Sequence, residues 1–143
     1  MQFQDFIRSG KVKTINPNHS LAEGLLKNAE EDLTILQTIT ITHKNASFFF
    51  KSGYDCVRAS LESFLAKQGY KSYSHEATLQ FLLEMNILNK KTHNKLDLYR
   101  MQRNDITYRA ETATKQETQE IILFAGKILP KMKKLLYHQK KTL

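Results

Sequence analysis

The sequence predicts an all-α fold, an antiparallel bundle of four to five helices. Three observations carry that expectation. Apolar residues recur every three or four positions along most of the 143-residue chain, the spacing of one helix face. Only five Gly and two Pro interrupt it. Stretches that alternate apolar with polar residues, the mark of a half-buried strand, are few. The length fits one domain over residues 1–143, large enough to bury a core without covalent staples.

The elements follow in order. Phe3 to Arg8 is a short amphipathic piece, followed by a linker from Ser9 to Asn18 with Gly10 and Asn16-Pro17 as turn signals; residues 1–17 form an N-terminal segment. The first long helix starts near Asn18 or Ser20 and carries Leu21, Leu25, Ala29, Leu33 and Leu36, with Glu30, Glu31 and Asp32 on its outer face. A β-branched run, Ile39-Thr-Ile-Thr42, ends it. The second helix spans Asn45 to Gln68, with Phe48, Phe49, Tyr54, Val57, Leu61, Phe64 and Leu65 as its apolar face. Gly69 is placed for a left-handed cap. Gly53 costs about 1 kcal/mol relative to Ala inside a helix, which a close helix–helix approach would explain. The run Phe48-Phe-Phe50 cannot face one way on a helix, so at least one ring points out of the core.

Ser74 is the expected N-cap of a third helix, Glu76 to Met85, built on Leu79, Phe81, Leu82 and Leu83. A polar stretch from Asn89 to Asn94 leads to a fourth, with Leu96, Leu98, Tyr99, Met101 and Ile106. The fifth begins after Thr114 and runs through Ile121, Ala125, Ile128, Met132 and Leu136, with Pro130 expected to kink or interrupt it.

Charge is distributed unevenly. The formal net charge is +8. Up to Gly126 there are 16 Lys and Arg against 14 Asp and Glu, whereas residues 127–143 hold six lysines and no acid. This basic C-terminal helix end can draw phosphate backbones by counterion release; a solvated lysine-rich helix end is the plainer account. One cysteine, Cys56, excludes an internal disulfide and any multi-cysteine zinc site, and reads as a small core thiol. None of the five histidines falls at metal-ligand spacing, so neither metal nor cofactor is expected. No apolar run approaches the roughly 20 residues that cross a bilayer. The expectation is a cytoplasmic protein with no membrane partner.

The densest polar cluster runs from Tyr99 to Arg109. On a helix Arg100, Arg103 and Asn104 share a face, because residues three and four apart are neighbours. Tyr108 follows Asn104 by four. Two guanidiniums beside an amide and a phenol suit a phosphate. A salt-bridged surface is the competing account, since Asp105 and Arg109 form an i,i+4 pair.

Four segments, in order, resemble the HEPN family of helical proteins from prokaryotic toxin–antitoxin and defence systems. Leu25-Leu-Lys-Asn-Ala-Glu-Glu-Asp-Leu33 is similar to that family's first helix. The stretch Gly53 to Tyr70 is similar to its second, and Ser74-His-Glu-Ala77 to the start of its third. Arg100-Met-Gln-Arg-Asn-Asp-Ile-Thr-Tyr108 resembles its diagnostic segment. The resemblance implies a bundle of HEPN type, a homodimer, and a minimal nucleotidyltransferase as partner protein. Catalytic members carry an Arg followed four to six residues later by His, and are described as metal-independent ribonucleases. Here the Arg is Arg103, the following polar residue is Asn104, and Tyr108 stands at the histidine's place.

That replacement matters chemically. A metal-free ribonuclease must take a proton from a 2′-hydroxyl, which His does well near neutrality. Tyr, at about 10, is a poor base at pH 7 but still donates a hydrogen bond. The resemblance thus implies an RNA- or nucleotide-binding module with weak or no cleavage, in which Arg103 holds phosphate and Asn104 orients it. Arg100, Asp105 and Arg109 flank it. The alternative is an active metal-independent endoribonuclease using Arg103, Asn104 and Tyr108, with His75 as a recruitable base. His75 also belongs to the expected binding set, and its plainer account is a first-turn residue that positions its helix. Tyr108 is also the candidate for modification by a nucleotidyltransferase.

Overall fold

Six helices and one small antiparallel sheet make up residues 1–138, the part of the chain that the computed structural model describes. In order they are α1 (Phe3–Arg8), β1 (Val12–Thr14), α2 (His19–Thr38), α3 (Ala46–Gln68), β2 (Tyr70–Ser72), α4 (His75–Glu84), α5 (Lys90–Tyr108) and α6 (Lys115–His138). The chain is mostly helical, as its periodicity predicts. Residues 139–143, the last part of the basic segment, lie outside the described residues.

Side-chain caps set the helix starts. Asn18 accepts from the Leu21 N–H at 2.9 Å and Ser74 from the Ala77 N–H at 3.3 Å, each satisfying one of the free donors of a first turn. Thr114 and Glu117 cap α6 reciprocally: the Glu117 N–H donates to Thr114 Oγ1 at 3.1 Å, and the Thr114 N–H donates to Glu117 Oε1 at 2.8 Å. Asn89 accepts from the Thr92 N–H at 2.8 Å. This cap opens α5 at Lys90, so the stretch expected to be a polar connection is instead the helix's first turn. Pro130 lies inside α6, which continues through it to His138 and is not interrupted.

Helix α3 is the centre of the packing. It lies against α2 and α6 most extensively, and also against α5, α4 and β2. Phe50, Val57, Leu61, Phe64 and Leu65 are fully buried along it. Gly53 sits where α3 meets α6: a Cβ there would come 3.1 Å from Ile121 Cγ2 and 3.6 Å from Ile122 Cγ1. The close approach that this glycine predicts is therefore present. Of the phenylalanine run, Phe50 enters the core and Phe48 points out, 65 % exposed and edge-on to Phe49.

Several expected faces are rotated. On α2 the buried set is Ala22, Leu26, Ala29, Leu33 and Leu36, so Leu21 and Leu25 form the rim and not the stripe's centre. On α5 only Leu96 and Ile106 are buried, while Leu98 and Met101 face outward. Both helices have one weak apolar face, and a wider stripe read from sequence includes residues one position off it.

A small two-stranded sheet accompanies the helices within the all-α class. The segment expected to be an irregular linker contains β1, which pairs antiparallel with β2 in the register Val12↔Ser72, Lys13↔Lys71, Thr14↔Tyr70. Gly69 makes this possible. It caps α3 at φ +93°, and its carbonyl accepts from the Ile15 N–H at 2.9 Å. Helix α1 closes over the sheet, with Phe3 edge-on to Tyr70 and packed on Phe81. Among the described residues, no helix is long and apolar enough to cross a membrane.

Candidate anion-binding site

Three elements meet around a cavity of about 410 Å³. Helix α3 supplies Tyr54, Arg58 and Glu62; the turn from β2 into α4 supplies Ser72 to Glu76; and α5 supplies Arg100, Arg103 and Asn104. The face that sequence spacing predicts for Arg100, Arg103 and Asn104 is therefore real, and His75 joins it. Tyr108 does not. It is the last residue of α5, 76 % exposed, and lies outside the cavity lining. Arg109 and Asp105 are also outside that lining and pair with each other at 3.6 Å.

The arginines differ in how their charge is used. Arg100 Nε donates to Asp97 Oδ1 at 2.8 Å, and its Nη1 lies 3.5 Å from Glu76 Oε1. Arg58 sits between Asp55 at 3.8 Å and Glu62 at 3.9 Å. Arg103 has no carboxylate partner among the described residues, and its Nε is buried with no hydrogen-bond partner. Burying an unpaired guanidinium donor costs free energy unless something binds it. The cavity thus holds one uncommitted positive charge next to two that are held in place.

His75 is the first residue of α4 and is largely buried. Its Nδ1 is hydrogen-bonded to the Tyr54 hydroxyl, and its Nε2 lies 3.7 Å from Glu62 Oε1. Burial lowers the imidazole below its usual range; Glu62 opposes this, and Arg58 and Arg100 add to it. Burial also raises the Tyr54 phenol, against the pull of Arg100, Arg58 and Arg103. At pH 7 the phenol is therefore protonated and donates, while neutral His75 accepts at Nδ1 and carries its proton on Nε2, toward Glu62. Glu62, His75 and Tyr54 are neighbours in the cavity lining, with His75 Nε2 buried and beyond hydrogen-bond distance of Glu62.

Tyr54, Arg58, Glu62, Tyr73 and Glu76 escape the sequence reading. One signal for the first three exists: they recur every four residues, a polar stripe on a helix otherwise given to the core. For Tyr73 and Glu76 there is no local signal, because the β1–β2 pairing that places them joins residues some sixty positions apart. Cys56 is the core thiol its surroundings predict, buried and pushed up to about 12 by desolvation, then by Asp32 and Asp55. Among the described residues no three His, Cys, Asp or Glu side chains cluster closely enough to hold a metal ion.

The geometry defines a mostly helical protein with a polar, arginine-lined cavity. No protein-family model, no curated protein and no solved structure matches the chain.

Proposed function

We propose that this protein is a phosphate-recognising RNA- or nucleotide-binding module, with the cavity between α3, α4 and α5 as its site. The observation that carries the reading is Arg103: a guanidinium without a carboxylate partner, its Nε buried and unbonded, in a cavity beside Arg100 and Asn104. Such a group is suited to bind an anion, and guanidinium geometry matches phosphate oxygens. Arg100, held by Asp97 and Glu76, lends field without moving. The resemblance of the diagnostic segment to HEPN proteins supports the same reading, and adds a second copy of the chain, a toxin–antitoxin or defence setting and a nucleotidyltransferase partner as proposals. The test is binding of a labelled single-stranded RNA at several salt concentrations. Arg103→Ala is expected to weaken it about tenfold or more, the scale of a charge-assisted hydrogen bond. Unchanged affinity would remove the proposal's basis.

A second reading, metal-independent cleavage, is favoured by one specific observation: His75 and Tyr54 sit in the same cavity as Arg103. In that reaction the 2′-oxygen bonds to phosphorus as the P–O5′ bond breaks, leaving a 2′,3′-cyclic phosphate. The 2′-proton passes to the Tyr54 oxygen while the phenol's own proton moves to His75 Nδ1, and water protonates the departing 5′-oxygen. Tyr108, outside the cavity, takes no part in this route. Cleavage in the presence of EDTA, lost in both Arg103→Ala and His75→Asn, is the expected result of this reading; an RNA left intact by wild-type protein rules it out.

A further inference from the structure

We infer that Tyr73 is a nucleobase platform at the mouth of the cavity, so that the site takes a nucleoside phosphate unit, free or within a single strand, in preference to phosphate alone. The inference rests on the phosphate-binding reading above and names the ligand class for that same site.

Tyr73 lines the cavity yet is 64 % exposed. Among the described residues it stacks on no other ring, whereas Tyr54, Tyr70 and Tyr99 each pack against a neighbouring aromatic. Its one aromatic-face contact is with a charge, the Lys71 ammonium 5.7 Å from the ring centre. An exposed aromatic ring that also lines a polar cavity offers a face on which a base can stack.

The ring is exposed, but the backbone beneath it is fixed. The Tyr73 N–H donates to the Lys11 carbonyl at 2.8 Å. Across it, from the residue before to the residue after, the Ser72 hydroxyl donates to the Ser74 carbonyl at 2.6 Å and accepts from the Ser74 N–H at 3.2 Å. A platform held this way loses little freedom when a base stacks on it.

Size and charge agree. A volume of about 410 Å³ falls within the roughly 300–1,000 Å³ of small-molecule sites, far more room than a phosphate needs. One uncommitted guanidinium, Arg103, matches the single charge of a phosphodiester. Bases in a duplex are stacked on each other and cannot turn onto a protein ring; those of a single strand can.

The experiment compares four ligands on the full chain: inorganic phosphate, adenosine monophosphate, a short single-stranded RNA and the same RNA as a duplex. Tyr73→Ala is expected to weaken the single strand about tenfold, the loss typical of one stacked base, and to leave inorganic phosphate unchanged. Tyr73→Trp restores affinity. If adenosine monophosphate shares the loss, the free nucleotide is a ligand; if only the strand does, the ligand is RNA. Tyr73→Ala with wild-type affinity for the single strand and the nucleotide overturns the platform. So does a duplex bound as tightly as the single strand. In those cases Arg103→Ala still decides the phosphate reading: weakened binding there keeps the phosphate site and discards only the platform, and unchanged binding discards both.

Discussion

The hydroxyl of Tyr54 and Nδ1 of His75 are hydrogen-bonded across the junction of α3 and α4, which ties the core helix to the first residue of the helix that walls the cavity. The bond fixes the imidazole's tautomer, and burial then keeps the ring neutral. A pH dependence follows. In the unfolded chain His75 takes a proton near its usual 6.5, whereas in the folded chain it does so only at lower pH. Between those two values the unfolded state binds more protons, so stability falls as pH drops through 6.5 and levels off below the folded value. Urea midpoints at pH 7.5 and pH 5 should differ more for the wild type than for His75→Gln. Equal differences would mean that the ring is not held neutral.

Arg103 and Arg100 should separate binding from stability. Arg103 makes no ion pair among the described residues, so Arg103→Ala is expected to leave stability within about 0.5 kcal/mol, the range of substitutions away from structural contacts, or to raise it. Arg100→Ala removes the bonds to Asp97 and Glu76 and should cost up to about 1 kcal/mol, since both carboxylates are partly exposed. Thermal melts of the two variants beside their RNA affinities make the comparison. Arg103→Ala melting well below Arg100→Ala would show that Arg103 has a structural partner after all.

Tyr108 gives a sharp negative prediction. It occupies the position where the family resemblance expects a catalytic histidine, but it is the last residue of α5 and lies in solvent. Tyr108→Phe should therefore bind RNA as tightly as the wild type and melt at the same temperature. A tenfold loss of affinity would place the phenol on the ligand. Its exposure leaves the hydroxyl open to modification, which mass spectrometry of the isolated protein reads separately.

How much of this was legible in the chain depends on the range of the interaction. The helices and their caps are local, and Ser74, Gly69 and Thr114 announce them through residue type alone. Gly53 is a longer inference that holds: its place in mid-helix suggests a close approach, and Ile121 and Ile122 of α6 make it. The face of Arg100, Arg103 and Asn104 follows from helical spacing. Tyr108, one turn further on, lies outside the cavity lining, because its helix ends there. The partners of Arg103 in the cavity come from α3 and α4, and no spacing within α5 points to them. The β1–β2 pairing is invisible for the same reason: three-residue strands carry no period, and Val12 meets Ser72 only once α3 has folded between them.

That pairing leads to the last prediction, at Gly69. Its φ of +93° is a conformation that favours glycine, and a Cβ there would stand 3.0 Å from the Ile15 carbonyl oxygen and 3.4 Å from the Pro17 ring. Gly69→Ala therefore meets two costs at once. The left-handed backbone alone costs about 1–2 kcal/mol, and the carbonyl is backbone that cannot swing aside. The easiest relief is to push the Ile15 segment away, which breaks its 2.9 Å bond to the Gly69 carbonyl and loosens β1 from β2. Because β2 runs directly into Ser72 to Glu76, the wall of the cavity moves with it. Gly69→Ala should lower stability by about 2 kcal/mol or more. It should also weaken RNA binding at temperatures where the protein is still folded, while Gly24→Ala, with nothing within 4 Å of the added carbon, should do neither. A Gly69→Ala protein that is destabilised but binds normally would show that the sheet supports the fold without placing the site.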